Sequence, residues 1–174
     1  MTKRSATSSM AATSADQPQE LVESTSPETT FGLGEKIGGD LSAGDVVLLD
    51  GGLGAGKTLL AKGILSVLGY DVDEVTSPSF TLVNLYKTGT FDVYHIDLWR
   101  LDGSVDPVEA VGLDEIIESD NAVTIIEWAD RLGDRFLSMN PLTINIAGDG
   151  EDPRQITIKR RKTDNPETVF PFKN

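Results

Sequence analysis

Gly51-Gly52-Leu53-Gly54-Ala55-Gly56-Lys57-Thr58 fits the pattern G-x-x-x-x-G-K-[ST] in full, and this spacing is that of a phosphate-binding loop. Gly51, Gly54 and Gly56 carry no side chain to block the approach of polyphosphate oxygens, so successive backbone N–H groups can turn inward as an anion nest. A helix starting directly after the loop would add its positive end. Lys57 offers a point charge to the outer phosphates, and the Thr58 hydroxyl a ligand for Mg²⁺. Two carboxylates stand at matching places: Asp97 closes Val93-Tyr94-His95-Ile96-Asp97, and Glu127 closes Val123-Thr124-Ile125-Ile126-Glu127. In open α/β sheets ligands bind beyond the carboxyl ends of strands, so acids there can reach Mg²⁺ or an attacking water. His95 shares a strand face with Asp97 and is read as a packing or hydrogen-bonding residue rather than a catalytic one.

The elements that must position these groups can be read from the same sequence. Val46-Val47-Leu48-Leu49 is the buried strand that feeds the loop, and Leu59, Leu60, Ile64, Leu65 and Leu68 form the apolar stripe of the helix after it, which Gly69 can end. Thr25-Ser26-Pro27-Glu28 offers an N-cap and a first-turn proline for an earlier helix with Phe31, Gly34 and Ile37 on one face. Further strands are expected at Thr81–Tyr86, Phe91–Leu98 and Val123–Glu127. Leu142–Ile146 and Gln155–Lys159 flank Gly148-Asp149-Gly150 as a hairpin. Short helices are expected around Pro107–Val111 and Leu113–Glu118. The fold class is thus α/β: one P-loop NTPase-like domain over residues 26–162, with a mixed β-sheet flanked by helices and a C-terminal β-hairpin. Residues 1–25 are rich in Ser, Thr and Ala, too poor in large apolar side chains to offset the entropy of ordering them. They are expected to be a disordered tail, and residues 163–174 a short trailing segment.

Composition narrows the function. A chain of 174 residues with 39% hydrophobic content can bury one substantial core. No apolar run is long enough to span a bilayer, and Lys3-Arg4 is not followed by the hydrophobic core of a secretory signal, so a cytoplasmic location is expected. Zero cysteines and a single histidine remove disulfides, thiolate zinc sites and histidine-rich metal centres. The formal charge of −13 argues against unaided binding of DNA or RNA. Lys159-Arg160-Arg161-Lys162 is the local exception, either a solvated charge run or a contact for RNA or an acidic surface.

Beyond the loop, Ser77-Pro78-Ser79-Phe80-Thr81-Leu82-Val83-Asn84, His95-Ile96-Asp97-Leu98-Trp99-Arg100-Leu101 and Glu127-Trp128 follow in order. Together with Leu53-Gly54-Ala55-Gly56-Lys57-Thr58, these blocks resemble the TsaE (YjeE) family over about residues 27–160. The resemblance implies a bacterial P-loop ATPase that works with TsaB and TsaD to make threonylcarbamoyladenosine beside the anticodon of tRNAs reading codons that start with adenine. It implies Lys57 as the phosphate lysine, Thr58 and Glu127 as Mg²⁺-side ligands and Asp97 as the residue that positions water. Trp128 resembles a family tryptophan tied to nucleotide-dependent function, with core packing as the other reading. Ser77 to Thr81 resembles the family's switch-like segment. Gly52 stands where an acid is usual in the family, Leu59 where a second Thr is frequent, Ser79 where Thr is frequent, and Trp99 where Tyr is typical. The alternatives are a small P-loop kinase acting on a metabolite, a GTPase, and a nucleotide-gated adaptor with incidental hydrolysis. No compact Arg cluster for a kinase lid stands between the loop and Glu127, and no Asn-Lys-x-Asp element reads guanine. ATP is therefore the expected nucleotide.

Overall fold

The structure, a computed structural model, describes residues 19–101, 104–136, 139–148 and 153–160. Its seven strands are β1 (Gln19–Ser24), β2 (Val46–Gly51), β3 (Val83–Lys87), β4 (Asp92–Asp97), β5 (Ala122–Glu127), β6 (Leu142–Ala147) and β7 (Arg154–Arg160). They form one sheet in the order β1-β7-β6-β2-β5-β4-β3. β6, β2, β5 and β4 run parallel, and antiparallel pairs close both sides. The central strands are buried on both faces: every residue of β5 is buried, as are Val46 to Leu49 of β2. A continuous apolar run is what such a position requires.

Helices α1 (Pro27–Asp40) and α2 (Lys57–Val67) pack on one face over Leu49, Ile125, Ile144 and Ile156. On the other, α3 (Pro107–Val111), α4 (Leu113–Ile117) and a 3₁₀ turn over Ala129–Leu132 cover Leu48, Ile96, Leu98 and Ile126. The α1 cap is as expected, with the Thr29 amide donating to Ser26 Oγ at 3.2 Å and Pro27 in the first turn. Glycine sets how closely α1 meets α2. A Cβ at Gly34 would collide with the Leu60 carbonyl oxygen, and one at Gly63 with that of Phe31, so the two backbones touch where side chains would hold them apart. No helix among the described residues is long and apolar enough to cross a membrane.

The expected tail boundary at residue 25 needs correction. Residues 19–24 form β1, pairing antiparallel with β7 from Gln19↔Lys159 to Ser24↔Arg154. Composition missed it because the strand is held by main-chain bonds to a partner distant in sequence; within it Val22 packs on the core and Ser24 is buried. The domain therefore begins by Gln19. Residues 1–18 and 161–174, including the trailing segment and Arg161-Lys162, lie outside the described residues. The other strands lie within one or two residues of expectation, and β6 and β7 pair as the expected hairpin.

A chain starting at Thr25 lacks β1 and leaves the β7 edge unpaired. Against a chain starting at Gln19, it should lose about 2 kcal/mol from ladder bonds and Val22 packing, which is roughly 4–8 °C in Tm. Thermal melts compare the two; equal Tm values would show that β1 contributes nothing.

Candidate functional site

β2 delivers the loop to the site. The chain leaves β2 at Gly51 and enters α2 through Gly56, whose φ of +110° is open to glycine but not to bulky residues. The Leu60 amide bonds the Gly56 carbonyl at 2.9 Å, so the helix is formed from its first turn. Lys57 lies inside this curve, only 5% exposed. Its Nζ donates to the carbonyls of Gly51 at 2.8 Å and Gly52 at 2.9 Å and sits 3.9 Å from the Trp128 ring centroid, a cation–π contact. Burial holds the Lys57 ammonium below the ordinary lysine range, while Glu127, Asp97, Asp50 and Asp130 partly offset that effect.

The carboxylates arrive by strand register. Asp97 pairs with Glu127, and Glu127 with Leu49 of β2, so the ends of three parallel strands align beside the loop. Each acid is 3% exposed. Glu127 Oε1 accepts from the Thr58 hydroxyl at 2.9 Å and lies 2.8 Å from His95 Nε2. The two residues expected on the Mg²⁺ side are therefore in direct contact. Asp97 Oδ2 accepts from Ser77 Oγ at 2.9 Å, and Oδ1 from the Trp99 amide at 2.8 Å. Asp97 thus fastens the expected switch-like segment to the end of β4.

Trp128 follows Glu127 with φ +59°, an uncommon backbone state for a bulky residue. Its amide donates to the Leu49 carbonyl at 2.9 Å, and its ring packs on Trp99 with centroids 4.4 Å apart. The core-packing reading of this residue describes part of its position. It joins the apolar cluster under α3 and α4, and it also faces Lys57.

A cavity of about 440 Å³ is lined by Leu53, Gly54, Gly56, Lys57, Thr58, Leu59, Ser77, Ser79, Asp97, Trp99, Arg100, Glu127 and Trp128. Gly51, Gly52 and Ala55 belong to the loop but do not line it. A second cavity of about 380 Å³ shares Gly54, Gly56 and Leu59 and is walled by Ala55, Ser24, Thr25, Ser26, Pro27, Thr30 and Arg154. The loop is thus a partition between two spaces. Sequence reading did not reach the second one: Arg154 lies 99 positions from Ala55, whose carbonyl its Nε bonds at 3.2 Å, and no local pattern signals that contact. Phe80 and Arg100, which no sequence pattern marks as partners, stack at 4.2 Å, with Arg100 lining the first cavity.

The donors suit a hard cation. Hydroxyl and carboxylate oxygens from Thr58, Glu127 and Asp97 match Mg²⁺ preference. Among the described residues there is no group of three or more His, Cys, Asp and Glu that could hold a metal ion.

The family model described as "Threonylcarbamoyl adenosine biosynthesis protein TsaE" matches residues 24–156. The chain belongs to the TsaE family. It is 36% identical to the tRNA threonylcarbamoyladenosine biosynthesis protein TsaE of a Nostoc species over 135 residues, covering 75% of this chain and 80% of that one. The Mycobacterium bovis protein of the same name is 40% identical over 126 residues, 68% of this chain and 73% of the relative. The crystal structure of Bacillus subtilis YdiB superposes with a TM-score of 0.67 at 32% identity, covering 86% of this chain and 90% of that one. The expected family and the α/β architecture are thereby shown.

The Lys57 environment has a consequence for pH. Because burial lowers its folded pKa below its unfolded value, the folded state holds fewer protons between that lowered value and the ordinary 10.5. Stability from this group therefore rises with pH across that window. Relative to Lys57→Met, the wild type should gain Tm as pH climbs toward 10.5, whatever the offset near neutrality. A Tm difference that stays flat with pH would contradict the burial of charge.

Proposed function

We propose that the chain binds ATP with Mg²⁺, hydrolyses it, and through that cycle serves threonylcarbamoyladenosine formation on tRNAs that read codons starting with adenine, together with TsaB and TsaD. The observation that carries this reading is the convergence of Lys57, Thr58, Asp97 and Glu127 on one cavity at the aligned ends of β2, β4 and β5. The names of the relatives supply the pathway.

Backbone N–H groups of the loop and the start of α2 hold the phosphates. Lys57 exchanges the carbonyls of Gly51 and Gly52 for phosphate oxygens, a shift of partner that needs no change of fold. Thr58 spends its proton on Glu127, leaving its oxygen lone pairs for the cation. A Mg²⁺ ion held by Thr58 and Glu127 would supply charge neutralisation on the outer phosphates. Asp97 is held by Ser77 and Trp99, and a carboxylate with two such bonds still has lone pairs for a water. It orients that water toward the terminal phosphate. The second cavity, across Gly54 and Gly56, receives the nucleoside end.

The tRNA reaches this protein only through its partners. A chain of net charge −13 has little to attract a phosphate backbone. A cytoplasmic site of action follows from the proposed role.

At a hundredfold excess over Kd, Mg-ATP should stabilise the fold by about 2.7 kcal/mol, roughly 5–10 °C in Tm. Lys57→Ala should remove most of that shift; an undiminished shift would reject the phosphate role. Separately, Glu127→Gln should weaken the Mg²⁺ dependence of binding, and Asp97→Asn should lower turnover more than affinity. These are read as phosphate release and threonylcarbamoyladenosine per complex with TsaB and TsaD present. Parental turnover by Asp97→Asn, or repeated product formation with Lys57→Ala, would favour a passive adaptor.

A further inference from the structure

His95 lies behind the cavity wall and has no exposure to solvent. Its Nε2 is 2.8 Å from Glu127 Oε1, and its Nδ1 is buried with no hydrogen-bond partner. A carboxylate only accepts, so the tautomer that satisfies this contact carries its hydrogen on Nε2 and leaves a lone pair at Nδ1. Strand register places residue 95 between Asn84 and Ile125, and the Tyr86 ring stands 6.2 Å from the imidazole. This is a fully buried donor pointed at one oxygen.

Thr58 donates to the same oxygen. With both donors on Oε1, the Glu127 carboxyl cannot rotate without breaking two hydrogen bonds. Its second oxygen is fixed in direction as a result. We propose that His95 is a positioning residue that fixes the orientation of the Glu127 carboxylate for the cation accompanying the nucleotide. This rests on the Mg-ATP reading above. Hydrogen bonds to a ligating carboxylate hold it in geometry, and their loss typically costs about 10–100-fold in metal affinity. His95 itself neither lines the cavity nor touches phosphate.

The test follows ATP binding by calorimetry on the full chain while Mg²⁺ is titrated, with binding in EDTA and Tm as controls. His95→Leu removes the donor, and His95→Gln restores an amide N–H near the position of Nε2. For His95→Leu the Mg²⁺ midpoint should rise about tenfold with binding in EDTA unchanged; for His95→Gln it should return close to the wild-type value. A parental midpoint in folded His95→Leu would overturn the proposal. If His95→Leu does not fold, His95→Gln is compared with His95→Asn, whose amide is too short to reach Glu127. A raised midpoint in Asn but not in Gln supports positioning, and equal midpoints overturn it. Thr58→Ala and Glu127→Gln identify failure of the underlying reading: if neither moves the midpoint, there is no cation site here and His95 has nothing to position.

Discussion

The alignment of three parallel strand ends is the constraint from which the site follows. Register places Asp97 beside Glu127 and Glu127 beside Leu49, two residues before the loop begins. A shift of one residue in β4 or β5 would turn either carboxylate to the opposite face of the sheet. The apolar residues before each acid hold that register, since Val93, Val123 and Ile125 must meet the α1–α2 face while Ile96 and Ile126 meet the other. The core thus determines where the acids point.

Once aligned, the acids interact in two separate sets. Thr58, Glu127 and His95 form one hydrogen-bonded group, and Ser77, Asp97 and the Trp99 amide form another. The first ties α2 to β5 and β4; the second ties the segment after α2 to the end of β4. Lys57 lies between them and is drawn by both acids, yet in this structure its hydrogen bonds go to loop carbonyls. Its ammonium is thereby hydrogen-bonded within a buried site, where an unsatisfied one would be costly. Trp128 covers it, held in a strained backbone state by the Leu49 carbonyl and the Trp99 ring.

The frame around the loop is built from close backbone approach. Gly34 and Gly63 let α1 lie directly against α2, and α1 brings with it the Ser24-to-Thr30 segment that walls the second cavity. β1 and β7 complete that wall, with Arg154 reaching the Ala55 carbonyl. The C-terminal hairpin is therefore part of the loop's surroundings, although none of its described residues lines the first cavity.

The sequence by itself singled out Lys57, Thr58, Asp97 and Glu127, which the structure gathers at one cavity, because a loop of eight consecutive residues carries its geometry locally and the acids announce themselves as the last residues of apolar runs. It also determined most elements, since strand and helix periods are local. It did not reveal β1, whose six residues become a strand only against β7, 130 to 140 positions away. Nor did it reveal the His95 contact with Glu127, the double hold on Asp97 or the second cavity. Those depend on strand order and register, which arise when distant segments bury a common core, and no spacing within one segment encodes them.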